Sequence, residues 1–153
     1  MSTLITKQTP YAWAFILVAI GTIVHLALGF TTELSVDEAH YALYADRLAW
    51  SYFDHPPLVG WIQWPLVAIN APDGILRLIP IVLWIVSCTM VYQIAEQVWN
   101  FYHSQTQPQS SSRAGLFAVA VIVFAPLPHV LAVGLVPDSL LTPLALGILW
   151  MAL

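Results

Sequence analysis

The stretch YAWAFILVAIGTIVHLALGF, residues 11–30, decides the fold. It lies in a gap from residue 8 to residue 32 that contains no Asp, Glu, Lys or Arg. Its length matches the about 20 apolar residues a helix needs to cross a bilayer. A secretory signal is also apolar, but its core is usually about 7–15 residues long and leads to a small-residue cleavage site. The longer run favours an uncleaved span. His25, inside it, reads as a helix-packing residue.

The rest of the chain has the same character. Of 153 residues, 59% are hydrophobic and 8% charged, where a soluble domain carries about 25% charged residues. This composition excludes a disordered chain, an ordinary soluble domain and a basic nucleic-acid binder. It predicts an all-α polytopic membrane protein whose first partner is the lipid bilayer. Cys88 is the only cysteine. No internal disulfide is possible, and a buried structural thiol is the natural reading.

Charge gaps mark the other spans. The second is predicted over about 75–96, opened by the Asp73-Gly74 turn, with Arg77 free to snorkel to the interface. The third is predicted over 114–135, broken in its outer half by Pro126 and Pro128. A fourth starts at about 139, after Pro137-Asp138, and runs to 153. The chain stops there inside an apolar stretch, which is the expectation for the N-terminal part of a longer protein. Lys7 and Arg113 assign the N-terminus and the polar 97–113 loop to the cytoplasmic side. The 31–74 loop then faces out. Whichever way the protein points, two spans separate that loop from Asp138, so both belong to one membrane face.

The 31–74 loop carries the chemistry. Glu33, Asp37, Glu38, Asp46, Arg47, Asp54, Asp73 and Arg77 fall within residues 33–77, six acids against two bases. The run SVDEAHYALYADRLAWSYFDHPPLVGW begins with Ser35 and, three residues on, Glu38, a capping box that starts a helix. Tyr41, Tyr44, Ala45, Leu48 and Tyr52 follow at helical spacing. A helix over 35–53 is therefore expected along the membrane surface, ended by His55-Pro56-Pro57. A second short helix is expected from about Leu58 to Ala68. Asp37 shares the stripe of Tyr41, Tyr44 and Leu48, an expensive place for an unused carboxylate. It can also simply complement the helix dipole. Glu38 can serve only the cap, Asp46 and Arg47 a solvated face, and Asp138 an N-cap. An acid at a membrane boundary is nevertheless a candidate site residue.

The same run resembles the first outer-loop motif of the GT-C membrane glycosyltransferases. It is most similar to the bacterial relatives of the dolichyl-phosphate-mannose protein mannosyltransferases, a group that includes the lipid A aminoarabinose transferases. The resemblance rests on Asp37-Glu38 after the first span, on Tyr52-Phe53-Asp54-His55-Pro56-Pro57-Leu58, on Arg77-Leu78-Ile79-Pro80, and on Pro137-Asp138-Ser139. It implies transfer of a sugar from a polyprenyl-phosphate donor, with inversion, to a lipid, protein or glycan acceptor at the outer face of the plasma membrane. It implies Asp37 as the base, Glu38 in support, and Asp138 positioning the acceptor or, with Asp37, holding a divalent cation. His55, Tyr41 and Arg77 are the substrate-binding candidates, Arg77 the nearer cation for the donor phosphate. Asp37 and Asp138 are expected to approach each other across a cavity. An ion- or proton-coupled transporter and a non-catalytic membrane subunit are the readings from other classes.

Overall fold

The computed structural model describes residues 2–103 and 113–153, with side chains from residue 10 onward. Every regular element among them is a helix: α1 (Ser2–Thr31), α2 (Val36–Asp46), α3 (Leu58–Val67), α4 (Asp73–Leu76), α5 (Leu78–His103), α6 (Ala114–Phe124), α7 (Pro126–Val133) and α8 (Pro137–Ala152). Two stretches, Pro10–Thr31 and Asp73–His103, are long and apolar enough to cross a membrane. The α6–α7 pair makes a third only if its 73° bend belongs to one span. This is the break expected at Pro126: a proline contributes no N–H and pushes its predecessor out of helix, so α6 ends at Phe124 and Ala125 is extended. α8 has 16 residues, short of that length test. α5 continues to His103, past the expected end at 96. Residues 104–112, most of the expected inner loop, lie outside the described residues.

Two cores hold the bundle. At one level Trp84 and Cys88 of α5 pack with Ala132 of α7, and Val18 of α1 closes on them. Gly21 permits that closeness, since a Cβ there would lie 2.5 Å from the Trp84 ring. At the loop end Tyr41, Tyr44 and Val59 pack with Leu135 and Leu140, so the α2–α3 hairpin sits on the start of α8. Gly60 lets α3 approach α2 as closely, because a Cβ there would meet Tyr44 at 2.9 Å.

The helix expected over 35–53 is corrected. The capping box forms as read, with the Ser35 hydroxyl accepting from the Glu38 N–H and the Glu38 carboxylate accepting from the Ser35 N–H. The helix then stops at Asp46, nine residues short of His55. Tyr52 folds back and stacks on Tyr44, with ring centroids 3.8 Å apart. Its hydroxyl donates to the Tyr44 carbonyl at 2.6 Å and accepts from the Ala49 N–H at 3.0 Å. Those bonds use backbone groups a continuing helix would need. The buried stripe is also displaced. Glu38, Tyr41, Tyr44 and Ala45 are buried, whereas Asp37 and Leu48 are exposed. One residue is about 100° around a helix, enough to exchange the two carboxylates.

Candidate functional site

Glu38 and Arg77 are the least solvated charges of the site, 6% and 3% exposed. Arg77 Nε donates to Glu38 Oε1 at 2.8 Å and one terminal nitrogen to Oε2 at 2.9 Å, a two-point fork. That nitrogen also donates to the Glu33 carbonyl at 2.7 Å. The other reaches the Thr32 carbonyl at 2.7 Å, the Thr32 hydroxyl at 2.6 Å and the Gly29 carbonyl at 3.3 Å. All five guanidinium donors are engaged, so the pair joins the end of α1 to the starts of α2 and α5. Burial pushes the Glu38 carboxyl up, but the bonds from Arg77 and Ser35 outweigh it and hold it below the usual carboxylate range. The geometry gives Arg77 no free N–H for a phosphate, and three hydrogen bonds, two from Arg77, tie down the Glu38 carboxylate. Both are placed as structural residues, away from the snorkelling and catalytic positions expected of them.

Asp37 and Asp138 are the opposite case. Both are exposed, and neither carboxylate makes a hydrogen bond or ion pair among the described residues, although the Asp138 carbonyl accepts from the Thr142 hydroxyl at 2.9 Å. Tyr41, four residues after Asp37 on α2, is only 7% exposed and packs with Leu135 and Leu140, which bracket Asp138 in sequence. Burial raises the Tyr41 phenol above its ordinary value, and Asp37, Asp54 and Asp138 raise it further. All three carboxylates therefore bear on one phenol, which stays protonated at neutral pH and presents a donor to whatever lies among them. Helix α2 supplies Asp37 and Tyr41. The start of α8 supplies Asp138, set by Ser139, whose hydroxyl accepts from the Val136 N–H at 3.3 Å and reaches the Leu131 and Gly134 carbonyls, each at 2.9 Å.

Asp54 and His40 complete the rim, and the reading from sequence gave neither a role. The Tyr44 hydroxyl donates to Asp54 Oδ1, and His40 Nε2 lies 2.9 Å from that hydroxyl. With the phenol proton on Asp54, His40 must be the donor, so the order runs His40 to Tyr44 to Asp54. Asp54 Oδ2 lies 3.7 Å from both His40 Nε2 and His55 Nε2. The bond from Tyr44 holds the Asp54 carboxyl below its usual range, and the same bond pushes the Tyr44 phenol up to about 12. His55 also sets its ring edge-on to Tyr41, with centroids 5.2 Å apart. His55 is thus set beside Asp54 and Tyr41. Among the described residues no group of three or more His, Cys, Asp or Glu is arranged to hold a metal ion.

A rim of three carboxylates, two imidazoles and a phenol can accept a proton, hold hydroxyl groups by hydrogen bonds, or attract a cation. Neither loop guanidinium is offered to an anion there: the Arg77 donors are all engaged, and Arg47 lies 3.9 Å from Asp46 at the exposed end of α2. Comparison with protein-family models, with curated proteins and with solved structures gives no match for this chain.

Proposed function

We propose that the chain is part of a GT-C membrane glycosyltransferase that moves a sugar from a polyprenyl-phosphate donor to a hydroxyl or phosphate acceptor on a lipid, protein or cell-envelope glycan. One observation carries the reading: helix α2, which bears Asp37, packs its buried Tyr41 on Leu135 and Leu140 around the start of α8, which bears Asp138, and neither carboxylate has a hydrogen-bond partner among the described residues. A hydroxyl nucleophile needs a carboxylate to take its proton as it attacks, and Asp37 is that base. Asp138 positions the acceptor or, with Asp37, holds a divalent cation. Tyr41 and His55 bind substrate hydroxyls between them. The donor phosphate needs cationic or N–H ligands, and they come from outside the described residues. Four spans, an N-terminus in the cytoplasm and a site on the outer face of the plasma membrane complete the proposal. The apolar helices support its membrane part.

The test is sugar transfer by the whole protein in lipid vesicles, from a panel of polyprenyl-phosphate sugars, measured beside donor binding. Binding followed by inverted glycoside formation is the expected result. A transporter reading draws on a different observation, the broken α6–α7 helix with a buried His25 paired to a half-buried His129 beside it. Electrogenic uptake without transfer would replace the proposal with that one. Neither activity would leave a non-catalytic subunit.

A further inference from the structure

The transferase reading leaves one polar cluster unused, deeper in the bundle where α1, α5 and α7 meet. His25 is fully buried. Its Nε2 lies 2.7 Å from His129 Nδ1, and His129 Nε2 lies 2.6 Å from the Val123 carbonyl. A carbonyl only accepts, so His129 carries its proton on Nε2 and its Nδ1 is bare. The short contact then needs the His25 proton on Nε2. Each neutral ring has one permitted tautomer, and the chain runs from His25 through His129 to Val123. Trp84 sets its indole edge-on to His25, with ring centroids 4.6 Å apart, and so fixes that ring's plane.

The chain ends on a carbonyl that the break exposes. Val123 is in the last turn of α6, where the helical bonds run out because α7 departs at 73°. An unpaired carbonyl in an apolar interior is costly, and His129 satisfies it. A leucine at 129 would strand that carbonyl and the His25 N–H, so the two imidazoles tie the break together as well as pack it. Helix α7 has eight residues and a break at each end. Its start is held by the imidazole chain. Its end is held by the Ser139 hydroxyl on the Leu131 and Gly134 carbonyls. Gly134 also fits against Glu38, whose carboxyl carbon would lie 3.6 Å from a Cβ at that position. Asp138 follows in the first turn of α8.

We propose that His25 and His129 are positioning residues for Asp138: their one-way hydrogen-bond chain fixes the start of α7, and α7, a short strut, sets where the first turn of α8 meets α2. The role of Asp138 in transfer rests on the proposed function, but the geometry does not. The test is cross-linking in the whole protein with Cys88→Ala. One pair of cysteines replaces Asp37 and Asp138. A control pair replaces Tyr92 and Gly115, which meet where α5 packs on α6.

A short bifunctional thiol reagent should join both pairs in the parent. His129→Leu leaves the Val123 carbonyl and His25 unsatisfied, and should lower the 37–138 yield by about tenfold or more while sparing the control. His129→Gln, which keeps a donor and an acceptor, should restore most of it. With the carboxylates intact, His129→Leu should raise the acceptor KM more than it lowers kcat. An unchanged 37–138 yield in His129→Leu would overturn the proposal. Equal loss from both pairs would also overturn it, by making His129 a packing residue only. A measurement on His25→Leu, expected to match His129→Leu, decides the case independently. The expected cross-links without sugar transfer would remove the transferase reading and keep the strut.

Discussion

Asp37 and Glu38 are neighbours in sequence, yet they stand in the two most different polar environments of the molecule. Glu38 is buried, bonded at both oxygens and paired with a guanidinium whose donors are all engaged. The Asp37 carboxylate is exposed and unbonded, and its charge, with those of Asp54 and Asp138, raises the Tyr41 phenol. The first environment is largely filled: three hydrogen bonds, two of them from a cation, occupy the Glu38 oxygens and lower their appetite for a proton. The second keeps its capacity to accept a proton. The two carboxylates differ not by distance along the chain but by how many bonds the protein has already made to each. That contrast gives each residue its own way to fail.

The sharpest break of the comparison is Asp37→Asn. The amide keeps size and polarity but is not basic. With Asp37 as general base, transfer should fall by about 10²–10⁴-fold. Thermal stability and membrane expression should stay at parent levels, because Asp37 supports no other residue. Donor binding should change little, since the anionic phosphate gains nothing from this carboxylate. Near-normal transfer by well-expressed protein would leave Asp37 with only the helix-dipole role.

The saturated side should answer in stability. Arg77→Met strands the buried Glu38 carboxylate, and such a loss costs about 3–5 kcal/mol. The readout is the thermal unfolding midpoint in detergent or nanodiscs. The double change Glu38→Met with Arg77→Met should recover most of the loss, because apolar replacement of a whole buried pair is often close to neutral. Failure of the double variant to recover would mean that the bonds to Thr32 and Glu33 hold the loop more than the ion pair does. The pH dependence has a fixed sign. The Glu38 carboxyl is held below its ordinary value in the folded state, so its contribution is complete above that ordinary value. It is lost as pH falls through the lowered one. Parent stability should therefore drop on acidification in that window, and the drop should be smaller in Glu38→Gln.

How much of this was legible follows from the range of each interaction. The apolar spans, the α2 start and the α6–α7 break are written locally, in charge gaps, a capping box and two prolines. The end of α2 is not, because Tyr52 closes it by reaching back to the Tyr44 carbonyl, a contact with no periodicity. Arg77 was read as a free cation because its carboxylate partner is Glu38, on a different element. Asp54 stood within a quoted motif, but its value depends on His40 and Tyr44, which reach it only after the chain reverses. Of the imidazole pair, His25 was legible as a packing residue and His129 was not. A lone histidine in an apolar run gives no sign of its partner.

The smallest effect tests whether the two environments are independent. The Ser35 hydroxyl accepts from the Glu38 N–H at 3.3 Å, at the long end for such a bond. Ser35→Ala removes it and should cost about 1 kcal/mol, the usual loss for an N-cap. The Glu38 carboxylate still accepts from the residue 35 N–H, and its fork to Arg77 does not involve the serine side chain. Helix α2 should therefore fray only at its first turn. Asp37 lies in that turn and Tyr41 beyond it, so fraying loosens the carboxylate relative to the phenol. Independence of the two sides predicts a small fall in unfolding midpoint with transfer unchanged. A fall in transfer well beyond the stability loss would show that the cap places Asp37 over Tyr41, and that the saturated side of the loop sets the geometry of the open one.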